Sequence, residues 1–125
     1  MKSDKIPENY QAVMPYLIIE GAVGFIRFMQ DVFGAKETYR AMRDENIIAH
    51  AEVMCGGSTI MFADATESYN ARPAGMFIYV DDADLVYEKA LAAGGQAVSP
   101  LTDQEYGRSG GILDPFGNTW WITSL

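Results

Sequence analysis

Arg108-Ser-Gly-Gly-Ile-Leu-Asp-Pro-Phe-Gly-Asn-Thr-Trp-Trp-Ile-Thr123 reads as strand, tight turn, strand. Gly110 and Gly111 leave room beside the chain. Asp114-Pro115-Phe116-Gly117-Asn118 supplies the turn, because proline presets φ and glycine or asparagine accepts a positive φ. Thr119 to Thr123 is aromatic and β-branched and suits a strand.

Working outward from this hairpin, the same order of elements occurs twice: strand, helix, three strands. In the first half Ala12 to Glu20 is a strand-like run. Gly21 to Phe33 then switches to helical period, with Ala22, Phe25, Ile26, Met29, Val32 and Phe33 on one stripe. Gly34 suits a C-terminal cap. Glu37 to Arg43 reads as an exposed strand and Asp44-Glu45-Asn46 as a turn. Ile47 to Met54 and Ser58 to Ala63 are two strands joined through Cys55-Gly56-Gly57. In the second half Gly75 to Val80 is a strand, and Asp81 and Asp82 offer N-cap oxygens. Ala83, Val86, Tyr87, Ala90 and Leu91 make the apolar stripe, and Gly94-Gly95 ends the helix. Gln96 to Ser99 is a short strand before the closing pair. The polar run Thr66 to Pro73 is a linker, and Met1 to Asn9 a polar, mobile arm. The expected fold is therefore α+β: one domain over residues 1–125, with module one about 10–65, linker 66–73 and module two 74–125.

Length and composition narrow the function. A chain of 125 residues, 49% hydrophobic, buries one core and contains no apolar run of transmembrane length. No secretory-type segment opens it, and the single cysteine, Cys55, cannot form an internal disulfide. A cytoplasmic protein is the expectation. The net charge of −8 disfavours nucleic acid and anionic membrane and suits a cationic ligand or simple solubility. Cys55 has no second cysteine or neighbouring histidine to activate it, so it reads as a structural thiol. Neither a phosphate-cradling glycine loop nor a Ser-His-Asp set is present.

The hairpin pattern R-x-G-x-x-x-D-P-x-G-N resembles that of the vicinal oxygen chelate superfamily, which holds glyoxalase I, extradiol dioxygenases, fosfomycin-modifying enzymes and bleomycin resistance proteins. Pro-Tyr-Leu (15–17), Phe-Met-Gln-Asp-Val-Phe-Gly-Ala (28–35), Ile-Ala-His-Ala-Glu-Val (48–53) and Ile-Met-Phe-Ala-Asp (60–64), in that order, are similar to the PhnB-like branch. The resemblance implies two tandem βαβββ modules forming an open, curved mixed sheet around a cavity. It also implies a homodimer.

In metal-using relatives the first and fourth strands of each module supply His, Gln or Glu ligands, leaving positions open for two substrate oxygens. The resemblance places those positions near Met14, Gly75, Trp121 and Met61 or Phe62, none of which is an ordinary ligand for a hard divalent ion. The expectation is no metal and no cofactor. His50, the only histidine, alternates with Glu52 on one strand face, with Ala49, Ala51 and Val53 on the other. Two readings of the pair stand: catalytic acid/base or substrate hydrogen-bonding residues on the cavity wall, or a histidine satisfied within the sheet or at a dimer seam. Asp64 is the one nearby candidate for a third ligand. Tyr16, Met61, Phe77, Tyr79 and Trp121 are candidate cavity-lining residues, against ordinary core packing. Tyr10, Phe25, Phe28 and Phe33 are assigned to the helix side. Tyr106 and Arg108 are candidate ligand contacts, with Arg108 alternatively pairing Asp114 or a neighbouring carboxylate.

The expected function is that of a small-molecule-binding protein for an aromatic or cationic ligand. The alternative is a metal-dependent or His-assisted lyase, isomerase or dioxygenase of the same superfamily.

Overall fold

The computed structural model describes residues 5–125. Its elements run β1 (Tyr16–Ile19), α1 (Ala22–Phe33), β2 (Lys36–Met42), β3 (Ile48–Cys55), β4 (Ser58–Asp64), β5 (Ala74–Tyr79), α2 (Ala83–Ala92), β6 (Gln96–Gln104), β7 (Gly107–Leu113) and β8 (Asn118–Ser124). They form two four-stranded sheets, ordered β1-β4-β3-β2 and β5-β8-β7-β6. Only the β1–β4 and β5–β8 pairs are parallel. The fold is α+β with a repeated βαβββ module.

Each helix covers one face of its sheet. Alternation sends Leu17, Ile19, Val53, Ile60 and Phe62 of the first sheet, and Ile112, Trp120 and Ile122 of the second, into one contiguous core with Phe25, Met29 and Tyr87. The modules meet through that core. Phe33 lies 4.7 Å from Trp120, centroid to centroid, and Phe116 of the closing turn stands edge-on to Phe25 at 5.5 Å.

Helix ends follow local chemistry with one exception. Gly34 adopts φ 66° and caps α1, and Asp82 accepts from the Leu85 N–H at the start of α2. At the start of α1, Gly21 has no side chain to offer. Asp64 Oδ1 substitutes, accepting from the N–H groups of Gly21 and Ala22 at 2.9 Å each.

Four expectations are corrected. The first strand begins at Tyr16 rather than Ala12. β6 continues to Gln104, through Pro100, because it is an edge strand with register shifts on either side of Ser99, where a missing N–H donor is tolerated. Leu91 is exposed, since α2 buries only Ala83, Tyr87 and Ala90. Of the expected arm, residues 1–4 lie outside the described residues, while Asn9 and Gln11 are tied to β4: the Asn9 carbonyl accepts from Thr59 Oγ1, and the Gln11 amide exchanges two hydrogen bonds with the Thr59 backbone.

Candidate functional site

The sheet faces turned away from the helices carry most of the singled-out residues. In module one, cross-strand register sets a row Tyr16–Met61–Glu52–Tyr39 across all four strands. In module two, the equivalent row is Phe77–Trp121–Gly111–Ser99. The repeat thus makes Met61 equivalent to Trp121, and Glu52 to Gly111.

The first row organises a hydrogen-bonded chain. His50 Nε2 lies 2.7 Å from Glu52 Oε2. His50 Nδ1 lies 2.9 Å from the Tyr16 hydroxyl. The Tyr10 hydroxyl donates to the other Glu52 oxygen at 2.6 Å. Burial alone pushes the Glu52 carboxyl up, but the hydrogen bonds from Tyr10 and His50 outweigh it and hold it below its ordinary value. Glu52 is therefore an acceptor-only carboxylate, which puts a proton on His50 Nε2. In the neutral imidazole Nδ1 then accepts from Tyr16. The imidazole sits between two tyrosine rings, Tyr16 at 5.4 Å and Tyr39 at 5.8 Å.

Tyr10 is a correction. The sequence pattern puts it on the helix side, whereas it lies on the open face, because the Gln11–Thr59 pairing brings the N-terminal segment across that side of β4. Tyr39 was not singled out as a site residue. Its position opposite Glu52 follows from strand register, which the sequence does not print. Ala49 departs from the expected alternation as well: the β2–β3 register shifts between Ala41 and Met42, and Ala49 borders a surface cavity instead of the helix. Phe62 faces α1, 4.9 Å from Phe25, so Met61 alone of the two is on the open face.

Module two presents an aromatic surface. Phe77 and Tyr79 stand 5.2 Å apart, and Tyr106 lies 6.0 Å from Phe77. Phe77, Tyr79, Tyr106 and Trp121 are each 40–58% exposed. Trp121 lies over Gly111: a Cβ there would fall 2.5 Å from its ring. Trp120, one residue away, is on the core side, with its Nε1 donating to Asp114. Arg108 is committed to Asp84 at 3.0 Å and Asp103 at 3.1 Å. Its carboxylate partners are therefore these two and not Asp114, and their hydrogen bonds, Asp84 first, raise its pKa further.

The donor set does not suit a divalent metal ion. Along the first and fourth strands the open-face positions of module one are Tyr16, Ile18, Met61 and Ala63, and those of module two are Phe77, Tyr79, Trp121 and Thr123. A two-residue slip in register brings in only Glu20 in module one and Asp81 in module two, one carboxylate each and both past the ends of their strands. Asp64, the candidate third ligand beside His50 and Glu52, is already engaged: its Oδ2 accepts from the Ile48 N–H at 2.7 Å, and its Oδ1 caps α1. Among the described residues no three His, Cys, Asp or Glu side chains converge. Cys55 is buried, and burial pushes its thiol to about 11, away from nucleophilic use at neutral pH.

Two open-faced βαβββ modules joined through their helix sides define the glyoxalase class of fold. The chain belongs to the Glyoxalase/Bleomycin resistance protein/Dioxygenase superfamily, whose family model matches residues 24–122. An uncharacterised protein of Mycobacterium tuberculosis strain H37Rv is 31% identical over 121 residues, covering 87% of this chain and 71% of that protein. Among solved structures, TioX from Micromonospora sp. ML1 aligns with a TM-score of 0.75 at 24% identity over 91% of this chain and 98% of its own. A PhnB protein from Bacillus cereus aligns with a TM-score of 0.71 at 22% identity, covering 92% and 100%. A bleomycin-binding protein from Streptomyces verticillus, solved with copper(II)-bleomycin, aligns with a TM-score of 0.62 at 20% identity, covering 93% and 97%. At these identities the structural likenesses speak to fold alone. No helix among the described residues is long and apolar enough to cross a membrane.

Proposed function

We propose that this chain is a metal-independent small-molecule-binding protein that takes a flat aromatic ligand on the open face of module two. The observation that carries the reading is the exposed group Phe77, Tyr79, Tyr106 and Trp121 on one side of one sheet. Aromatic faces attract planar ligands by stacking and cations through their quadrupoles, and a net charge of −8 adds long-range attraction for a cation. The bleomycin-binding relative of the same fold supports binding as a use of this architecture. Two copies pair in this reading, which removes part of that apolar face from water. The single buried thiol suits a reducing, cytoplasmic setting.

The test is tryptophan fluorescence with bleomycin and with the planar cation proflavine. Trp120 is 1% exposed and Trp121 40%, so a stacked ligand quenches Trp121 selectively. Saturable quenching that disappears in Trp121→Phe is the expected result, and unsaturable or unchanged quenching counts against the site. Light scattering is expected to give twice the 13.8 kDa chain mass at micromolar concentration. A second reading, an enzyme working by acid/base chemistry, is favoured by one observation, the chain Tyr16–His50–Glu52–Tyr10.

A further inference from the structure

The cavity that Ala49 borders in module one has a volume of about 810 Å³. Tyr16, Ile18, Arg43, Asp64, Thr66 and Tyr69 are among its walls. Two observations there have no part in aromatic-face binding. The first is the state of the charges. Asp64, the one carboxylate on the wall, is buried and fully engaged by three backbone N–H groups. Arg43, on the same wall, makes no side-chain ion pair or hydrogen bond among the described residues, unlike Arg40 and Arg108, which are both clamped by carboxylates. Neighbouring Asp44 turns its Oδ1 into its own loop, accepting from Asn46 and Ile47 N–H. The cavity therefore holds an uncommitted guanidinium fork, the geometry that fits a carboxylate in two parallel hydrogen bonds. The protein's overall negative charge opposes an anion only weakly at this spot, because exposed charges beyond about 10 Å are screened at ordinary salt.

The second observation is the end of the hydrogen-bonded chain. Tyr16 is half exposed and borders this cavity, while its hydroxyl meets His50 Nδ1. Behind it, Glu52 fixes the imidazole, and Tyr10 fixes Glu52. A hydroxyl backed by a histidine that is itself backed by a buried carboxylate is the arrangement that passes a proton in either direction.

We propose that the module-one cavity binds a small 2-oxo acid through Arg43 and moves a proton on it through Tyr16. The step balances without a co-reactant. A proton leaves the carbon next to the ligand's carbonyl for the Tyr16 oxygen as the phenolic proton passes to His50 Nδ1. The imidazole becomes an imidazolium against the Glu52 carboxylate, and the carbon's electron pair enters the enolate. Return of the proton to the enolate oxygen gives the enol tautomer and restores every side chain. Tyr16 is the catalytic residue, and Glu52 and Tyr10 are positioning residues.

Phenylpyruvate is the probe, because it joins a carboxylate, an exchangeable methylene and a ring. In D2O, NMR follows the loss of its methylene protons with and without protein, and calorimetry follows binding. The wild-type protein is expected to speed exchange at least tenfold over buffer. Tyr16→Phe is expected to return exchange to the buffer rate while changing the dissociation constant less than threefold, and Arg43→Gln to raise that constant at least fivefold. Melting curves report whether each variant folds. As the only histidine, His50 gives an isolated ring-nitrogen spectrum, in which Tyr16→Phe is expected to shift Nδ1. Exchange at the buffer rate with wild type, or exchange that survives Tyr16→Phe, overturns the proton transfer. Binding indifferent to Arg43→Gln overturns the carboxylate site. Proflavine quenching of Trp121 is measured in parallel, so loss of this proposal and loss of the aromatic-face reading are told apart.

Discussion

The Tyr10 hydroxyl donates a 2.6 Å hydrogen bond to Glu52 across 42 residues of sequence, and this bond ties the N-terminal segment to the centre of the module-one sheet. It also takes the one Glu52 oxygen that His50 leaves free. Removing it exposes Glu52 to water and loosens the aim of the imidazole.

Tyr10→Phe is expected to lower the urea midpoint of unfolding, because a hydrogen bond to a carboxylate is lost. The pH dependence has two limbs. Glu52 is held below its ordinary value in the fold, so its contribution is complete above the unfolded value of about 4.3 and is lost as pH falls through the folded value. Tyr10 is shifted upward, first by its hydrogen bond to Glu52. Its contribution is complete below the unfolded value of about 10 and is lost as pH rises through the folded value. Urea titrations from pH 3 to 11 should show both limbs in the wild type and smaller ones in Tyr10→Phe. Unchanged limbs would disconnect Tyr10 from Glu52.

Asp114 secures the closing turn. Its Oδ1 accepts from the N–H groups of Phe116 and Asn118, and its Oδ2 from Asn118 Nδ2 and Trp120 Nε1. An amide in the same place turns an NH2 toward one of those donor pairs in either orientation. Asp114→Asn is therefore expected to cost about 2–4 kcal/mol, since buried donors go unpaired. The urea midpoint should fall with the m-value unchanged; a midpoint within error of wild type would remove Asp114 from the turn's support.

Much of this was legible in sequence where the cause is local. The Gly34 cap, the Asp82 cap and the period of α1 need only neighbours within one turn. What escaped depends on distant strands. The face that Tyr10 takes is set by Gln11 meeting Thr59, 48 residues away in sequence. Asp64 read as a candidate ligand, yet a helix opening on Gly21 has orphan N–H groups and needs an acceptor from elsewhere, a signal available in the sequence. β6 ran past Pro100 because it lies at a sheet edge, and edge from centre is a property of topology. Arg108 found Asp84 and Asp103 for the same reason: helix and strand converge only in three dimensions.

Cys55 ends β3 with its side chain in the core, and burial raises its thiol to about 11. At pH 8 the thiolate fraction is then about a thousandth, against roughly a quarter for a free thiol of pKa 8.5. Labelling by iodoacetamide is expected to run at least a hundredfold slower than for glutathione, and to recover in 6 M guanidinium. Fast labelling of the folded protein would mean that the end of β3 opens readily.

Gly111 decides whether Trp121 can lie on the open face as it does. A methyl group at that Cα would come within 2.5 Å of the indole and 3.0 Å of Val98. The indole is half free and has space to swing outward, so Gly111→Ala should fold, with a modest loss of stability of about 1 kcal/mol. The swing carries the indole away from its place beside Phe77, its partner in the strand register. Proflavine affinity is therefore expected to fall at least fivefold while the fluorescence of buried Trp120 stays constant. If affinity holds and the Trp121 emission is unchanged, the indole does not rest over Gly111, and the aromatic face is not the surface that ligands meet.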